Sequence, residues 1–471
     1  MQKKHFLISI VSIVVFSVLL FITLLIFHQK VLIVGDGFQY SSIQDAVDAA
    51  GSGDIILVTS SLSPYEEAVY ITDKVGIKII GIGKPILDGS TLDPGSNGIT
   101  ISNSSKINIQ GLIIQQYPED FFSGGKGILV EDSSSNNIFV KNKLIQNELE
   151  GILNFGGNSI FLGNELVQNG IEGIDSHGGN NIFIKNEFVK NGFADGSFTV
   201  DAFDVHDDHN ILIRNKLIKN ADDAIDIDDD FNIIIGNIAI ENGESGIIFD
   251  DGSKNNIVIR NRWENNVEDG ILLDDRTANN ILISNKIIGN QRDGIRVGDR
   301  TRDNIIKNNI IMENGRGIFI RNDDFTLDQG NKIFKNRIVQ NEGDGIFFEG
   351  ATGNFVKNNK IFENNRGIFL RPQSDLETTF SQRNMITGNK VKKNKDDGIN
   401  IEESFANTIQ KNKIIGNGDN GIFLDINSTN NRVFFNRVFN HIVTDIHDEA
   451  DNLYNGNSCG TSIGANVDCP N

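Results

Sequence analysis

Between residues 126 and 445 the chain repeats one short pattern of apolar and polar positions. Gly-Ile, or an equivalent such as Ala202-Phe203 and Ala224-Ile225, recurs from Gly127 to Gly421, mostly at steps of 22 to 24 residues. Asn-Ile-x-Ile-x-Asn follows in each period, then a third asparagine, as in NNIVIRNRWENN and NNILISNKIIGN. Apolar positions alternate with polar ones at period two and are rich in Ile, Val and Phe, which predicts short strands rather than helical repeats. Three such strands per period predict an all-β fold, a parallel β-solenoid whose coils stack about 4.8 Å apart. The asparagines then form ladders from coil to coil and need no binding role. About 13 coils are clear, with longer steps marking insertions at residues 192–200, 323–329 and 372–383. Asp-Gly and Asn-Gly pairs read as turns that use the positive φ open to glycine.

The flanks depart from this pattern. In SSIQDAVDAAG, Ile43, Ala46, Val47 and Ala50 share one helical face, with Ser41 or Ser42 placed to cap the start and Gly51 the end. Residues 31–125 are therefore expected to form an N-terminal cap and first coils, 126–445 the repeats, and 446–471 a C-terminal cap. Upstream, an unbroken apolar run at residues 6–27 follows Lys3 and Lys4. At about 1.5 Å per residue it is long enough to span a bilayer, and no small-residue cleavage site follows it. Residues 1–30 are thus expected to be a cytoplasmic stub and transmembrane signal anchor, with the rest extracytoplasmic, or secreted if the anchor is cleaved.

Composition narrows the partners. The chain has 63 acidic against 43 basic residues and a net charge of −20, which argues against nucleic acid and suits a cation binder or a cation-screened polymer as ligand. Its two cysteines, Cys459 and Cys469, are spaced for a small terminal disulfide in an exported chain.

Candidate chemistry lies on one outward face. Counted from each anchor glycine as zero, positions 1 and 3 point inward, so positions 2 and 4 point outward. These outward positions carry Asp175 and His177, Asp204 and His206, and Asp226 and Asp228 on three adjacent coils. Stacking brings them within roughly 5–7 Å of one another. Residues inserted before Val200 would stand beside them as a wall. Arg296 and Arg321, further along, suit bidentate binding of a sugar acid. Aspartates accumulate next to this face, and Asp228, Asp229, Asp250, Asp251, Asp274 and Asp275 are candidate Ca²⁺ ligands. Turn aspartates bonding their own backbone, screened by Arg276 or Arg300, account for the same residues without a cation.

Two family resemblances follow from quoted stretches. VGDGFQYSSIQDAVDAAGSGDIILV, with IKIIGIG after it, resembles the opening of pectin-lyase-like right-handed parallel β-helix proteins, whose helix plugs the N-terminal end. AFDVHDDHNILIRNKLIKNADDAIDID resembles the catalytic stretch of mannuronan C5-epimerases. That resemblance implies Asp204 and His206 as essential residues and Asp228 as the aspartate of the following coil, with carboxylates orienting the uronate and His and Tyr exchanging the C5 proton. The motif's aromatic is Asp201 here and its proline Val205, and no tyrosine falls in the central coils. An epimerase or lyase acting on a uronic-acid polysaccharide is expected on this basis, with His206 or His177 as base. A non-catalytic glycan-binding or adhesive β-helix is the alternative, and a transition metal held by the two Asp-x-His units a third.

Overall fold

In the computed structural model, residues 29–471 are described except 122, 193–199, 323, 325–327, 374–378, 465, 466, 468, 470 and 471. The alternating segments form strands of mostly three residues, such as Phe203–Val205, Ile211–Ile213 and Lys216–Ile218 in one coil. Each strand pairs in parallel with its counterpart one coil away. The Asn-Ile-x-Ile strands build an 18-stranded first sheet, the segments after them a 16-stranded second sheet, and the Gly-Ile segments a third sheet of 17 strands. Among the described residues the one antiparallel pairing joins Glu119–Asp120 to Ser123–Gly124.

Alternation sends one row of each sheet inward. In the coil above, Phe203, Val205, Leu212 and Leu217 are fully buried. Burial of each such side chain stabilises by about 1.5–3 kcal/mol, so the core is a column to which every coil adds a layer. Aromatic rings stack along it, with Phe139, Phe161 and Phe183 at 4.8 and 4.7 Å.

The asparagines close the corners. Asn237 accepts from the Asn215 backbone N–H (2.8 Å) and amide (3.0 Å), and donates to Leu212 O (2.9 Å) and Asn261 Oδ1 (3.1 Å). The same four-bond pattern runs up the ladder, and in a neighbouring ladder His441 replaces asparagine beneath Asn417. Asn237→Ala would strip partners from buried groups on both adjacent coils, so we expect a loss of about 3 kcal/mol. The check is the urea midpoint; an unchanged midpoint would show that the ladder carries no stability.

Two local expectations are corrected. The anchor glycines that follow aspartate do not use positive φ. Positive φ falls instead on residues that precede ladder asparagines, such as Arg214 (54°). Gly270 is small for reasons of space, since a Cβ there would lie 2.6 Å from Gly294 O. The N-terminal helix spans Ile43–Ala49 and ends in Ala50 rather than Gly51, because the Asp54 carboxylate takes the Gly51 N–H at 2.8 Å. Its start is held by Ser42 and by Glu67, which accepts from Ile43 N at 2.7 Å. Ile43, Ala46 and Val47 are buried as expected.

At the other end Cys459 and Cys469 form a disulfide. Of the expected stub and membrane anchor at residues 1–30, residues 1–28 lie outside the described residues, as does most of the wall before Val200. Among the described residues no helix is long and apolar enough to cross a membrane.

Candidate functional site

The third sheet sets the address of the candidate residues. Its register pairs Leu153 with Asp175, Asp175 with Asp204, and Asp204 with Asp226, so three aspartates stack on successive coils. Inward neighbours Phe203, Val205, Ile225 and Ile227 are fully buried and lock the strands that carry them. Two residues past each aspartate, the chain leaves the strand and places His177, His206 and Asp228 on the same outward side.

His206 is the hub of this face. Its Nε2 lies 2.9 Å from Asp204 Oδ2 and 3.6 Å from Asp175 Oδ1, and its Nδ1 lies 2.7 Å from Asp228 Oδ2. Hydrogen bonds to Asp204 and Asp228 push its pKa up to about 11 against the opposing effect of burial. The ring is therefore an imidazolium at neutral pH, both N–H groups donating to carboxylates. His177 stacks face to face on it, centroids 4.4 Å apart, with Phe155 on its far side at 4.9 Å. His177 has a simpler environment, with Nε2 3.0 Å from Asp175 Oδ2 and no bond to Nδ1 from the described residues.

A second acidic column stands one residue before each anchor, a position that the count from the anchors leaves out. It contributes Glu150, Glu172, Asp201 and Asp223. Burial raises Glu172 to about 8, with Asp175 adding to the effect. Burial also raises Asp223 to about 7. Asp201 and Asp226 are raised well above the usual carboxylate value by burial first, and next by the charge of Asp226 in the case of Asp201 and of Asp228 in the case of Asp226. Carboxyls shifted toward the protonated form thus line one side of a site whose other side is an imidazolium between carboxylates. Asp175, Asp204 and Asp226 each present a buried Oδ1 with no hydrogen-bond partner among the described residues. Such oxygens can accept a substrate hydroxyl, a proton or a cation.

The other candidates are dispersed. Arg296 lies three coils beyond Asp226 in the same column, about 14 Å away at the usual strand spacing. Its neighbour Phe319 begins a stacked row with Phe347 and Phe369. These outward rings are buried beneath Arg316, Arg366 and Arg371, whose guanidinium carbons lie 3.9, 3.5 and 5.0 Å from ring centroids. Arg321 is 3.6 Å from Asp299. The six candidate Ca²⁺ ligands do not converge on one point. Asp228 belongs to the His206 cage, whereas Asp250, Asp251 and Asp275 bring ligand oxygens within 4.8 Å of one another. Asp229 and Asp274 join neither group. Asp175, His177 and His206 form another set of that kind, as do Asp204, His206 and Asp228.

Comparison with known proteins adds the following. The family model "Right handed beta helix region" matches residues 40–166, 67–204 and 322–466. The model "Periplasmic copper-binding protein (NosD)" matches residues 194–366. No curated protein matches the chain in sequence. Among solved structures, the mannuronan C-5 epimerase AlgE4 A-module of Azotobacter vinelandii is 16% identical, with 72% of this chain and 94% of that one covered and a TM-score of 0.45. The periplasmic alginate epimerase AlgG is 16% identical over 80% of this chain and 82% of its own, with a TM-score of 0.32. An alginate lyase from Paenibacillus sp. str. FPU-7 is 13% identical over 81% and 94%, with a TM-score of 0.25. Matched over more than half of its length, and built of parallel coils throughout the described repeats, the chain belongs to the right-handed β-helix family.

Proposed function

We propose that the histidine face acts on a uronic-acid-containing polysaccharide by moving the proton at C5. The observation that carries this is the pair of stacked histidines with unequal carboxylate support, His177 on Asp175 and His206 caged by Asp204 and Asp228. A uronate C5–H is acidified by the adjacent carboxylate, provided that the charge on that group is neutralised as the proton leaves. With Nε2–H donating to Asp175, His177 offers Nδ1 as base. The sequence allowed either histidine in that role, but the cage makes His206 the fixed cation that meets the charge developing on the substrate. The C5–H electrons pass into the substrate carboxyl. Return of a proton to C5 gives an epimer, and departure of the C4 oxygen gives an unsaturated product.

The tyrosine implied by the epimerase resemblance has no counterpart here. Tyr117 is buried in the core, where its hydroxyl donates to Glu67 O at 2.6 Å. Asp226 or Asp201, held protonated by burial and neighbouring charge, takes over the second proton transfer in this scheme. The site is read as extracytoplasmic from the apolar run at residues 6–27 and the terminal disulfide.

The test is incubation with polymannuronate and polygalacturonate in D₂O, followed by NMR. Deuterium at C5 or a 4,5-unsaturated product is expected. Saturable binding with neither product would instead support a non-catalytic glycan-binding protein.

A second reading is favoured by the ligand geometry of Asp175, His177 and His206, which suits a divalent transition metal. Ca²⁺ is correspondingly proposed at Asp250, Asp251 and Asp275. Elemental analysis of native protein decides both, because a site without stoichiometric metal removes the corresponding proposal.

A further inference from the structure

The outward residue that opens each strand of the second sheet forms a column on a different sheet from the histidine face. Over five successive coils this column reads Arg337, Lys360, Lys390, Lys413, Arg437, each in register with the next. All five are exposed, and none forms an ion pair with a described residue. Earlier in the same column the charges are balanced, Lys143 pairing with Glu165 at 3.3 Å and Lys216 with Glu187 at 2.8 Å. Like charges in register about 4.8 Å apart repel. A row of five is therefore unexpected in a chain of net charge −20 unless an anion lies along it.

Aromatic surface accompanies the row. The Arg337 guanidinium lies 4.4 Å from the Phe362 ring centroid, and Lys392 Nζ lies 5.1 Å from the same ring. At the corner where the first sheet meets the second, a groove of about 450 Å³ is lined by Lys332, Lys335, Lys357, Phe334 and Phe355. Lys335 and Lys357 precede Arg337 and Lys360 by only two and three residues, so groove and row are one continuous surface.

We propose that this surface binds a linear anionic polysaccharide, aligned with the solenoid axis and offering about one anionic group per coil. Single-file cations fit a thin polymer with regularly repeated charge, and the flanking rings fit sugar faces. A lipid surface would meet cations spread in two dimensions, and a nucleic acid duplex would present two rows of phosphates. The surface lies on a different sheet from the histidines and does not depend on the chemistry proposed for them.

The experiment compares the wild type, the triple variant Lys360→Glu/Lys390→Glu/Lys413→Glu and His206→Ala. Affinity electrophoresis is run against polygalacturonate, polymannuronate and neutral dextran. Melting temperatures confirm that the exposed substitutions leave the fold intact. Wild type and His206→Ala should bind at least one polyuronate and ignore dextran, and the triple variant should bind it about tenfold more weakly or worse. Equal binding by the triple variant, binding lost only in His206→Ala, or no binding by the wild type would each overturn the proposal. So would a preference of the wild type for single-stranded DNA or phosphatidylglycerol vesicles over both polyuronates.

Discussion

His206→Ala is expected to lower turnover of a uronate polymer by about a hundredfold to a thousandfold, the usual range for removing a group that stabilises developing charge. The loss should fall on kcat more than on KM, because the imidazolium meets charge that develops as the C5 proton departs. Substitution also leaves Asp204 and Asp228 without the cation between them, at 2.9 and 2.7 Å in the native site. A lowered melting temperature alone could therefore mimic a catalytic loss. Added imidazole separates the two, since it should restore part of the activity without restoring the melting temperature. Asp228→Asn offers an independent readout. It replaces the charged acceptor at His206 Nδ1 by a neutral one and so weakens the support that holds His206 near 11, and the alkaline limb of the pH–rate profile should move to lower pH. Full activity of His206→Ala on every polymer that the wild type converts would sink the assignment.

The architecture was legible because its signals are local and repeated. Period-two alternation between asparagines predicts strands, and a step of 22 to 24 residues predicts their stacking. Position counting alone put Asp175, His177, Asp204, His206, Asp226 and Asp228 on one face, and the register agrees with it. What escaped depends on desolvation or on distance along the chain. His206 read as a base because an unperturbed imidazole titrates near neutrality, and only its two carboxylate contacts make it a persistent cation. Glu172 and Asp223 precede the anchors Gly173 and Ala224, outside the positions counted for the outward face, and only their burial in the fold raises them. Phe319, Phe347 and Phe369 occupy outward positions yet are buried, since the arginines that cover them come from other positions of the repeat. Arg337 and Lys360 are isolated cations in the sequence. Only the 23-residue register between them turns single charges into a row.

Stability should fall as pH rises from about 4 to about 8, and Asp269→Asn should flatten that fall. Asp269 is completely buried, and its Oδ1 accepts the Asp293 N–H at 2.8 Å. Its Oδ2 has no hydrogen-bond partner among the described residues. Burial, and next the charge of Asp293, raise its pKa to about 8, while Arg292 works against the shift and Glu268 with it. Asp293 is itself neutralised by a forked contact with Arg316 at 2.6 and 2.9 Å. In the unfolded chain Asp269 releases its proton near pH 4, whereas the folded protein keeps that proton until about pH 8. Between those values the unfolded state binds fewer protons, so rising pH favours unfolding, and above the window both states are ionised and the loss is complete. Glu172 and Asp223, raised to about 8 and about 7, act with the same sign. Asparagine at 269 keeps the acceptor, remains neutral at every pH and imitates the protonated acid. Its melting temperature should match the wild type near pH 5 and exceed it at pH 8.5. Parallel curves for the two proteins would mean that Asp269 is ionised in the folded state, and that the acidic column before the anchors holds no stored protons.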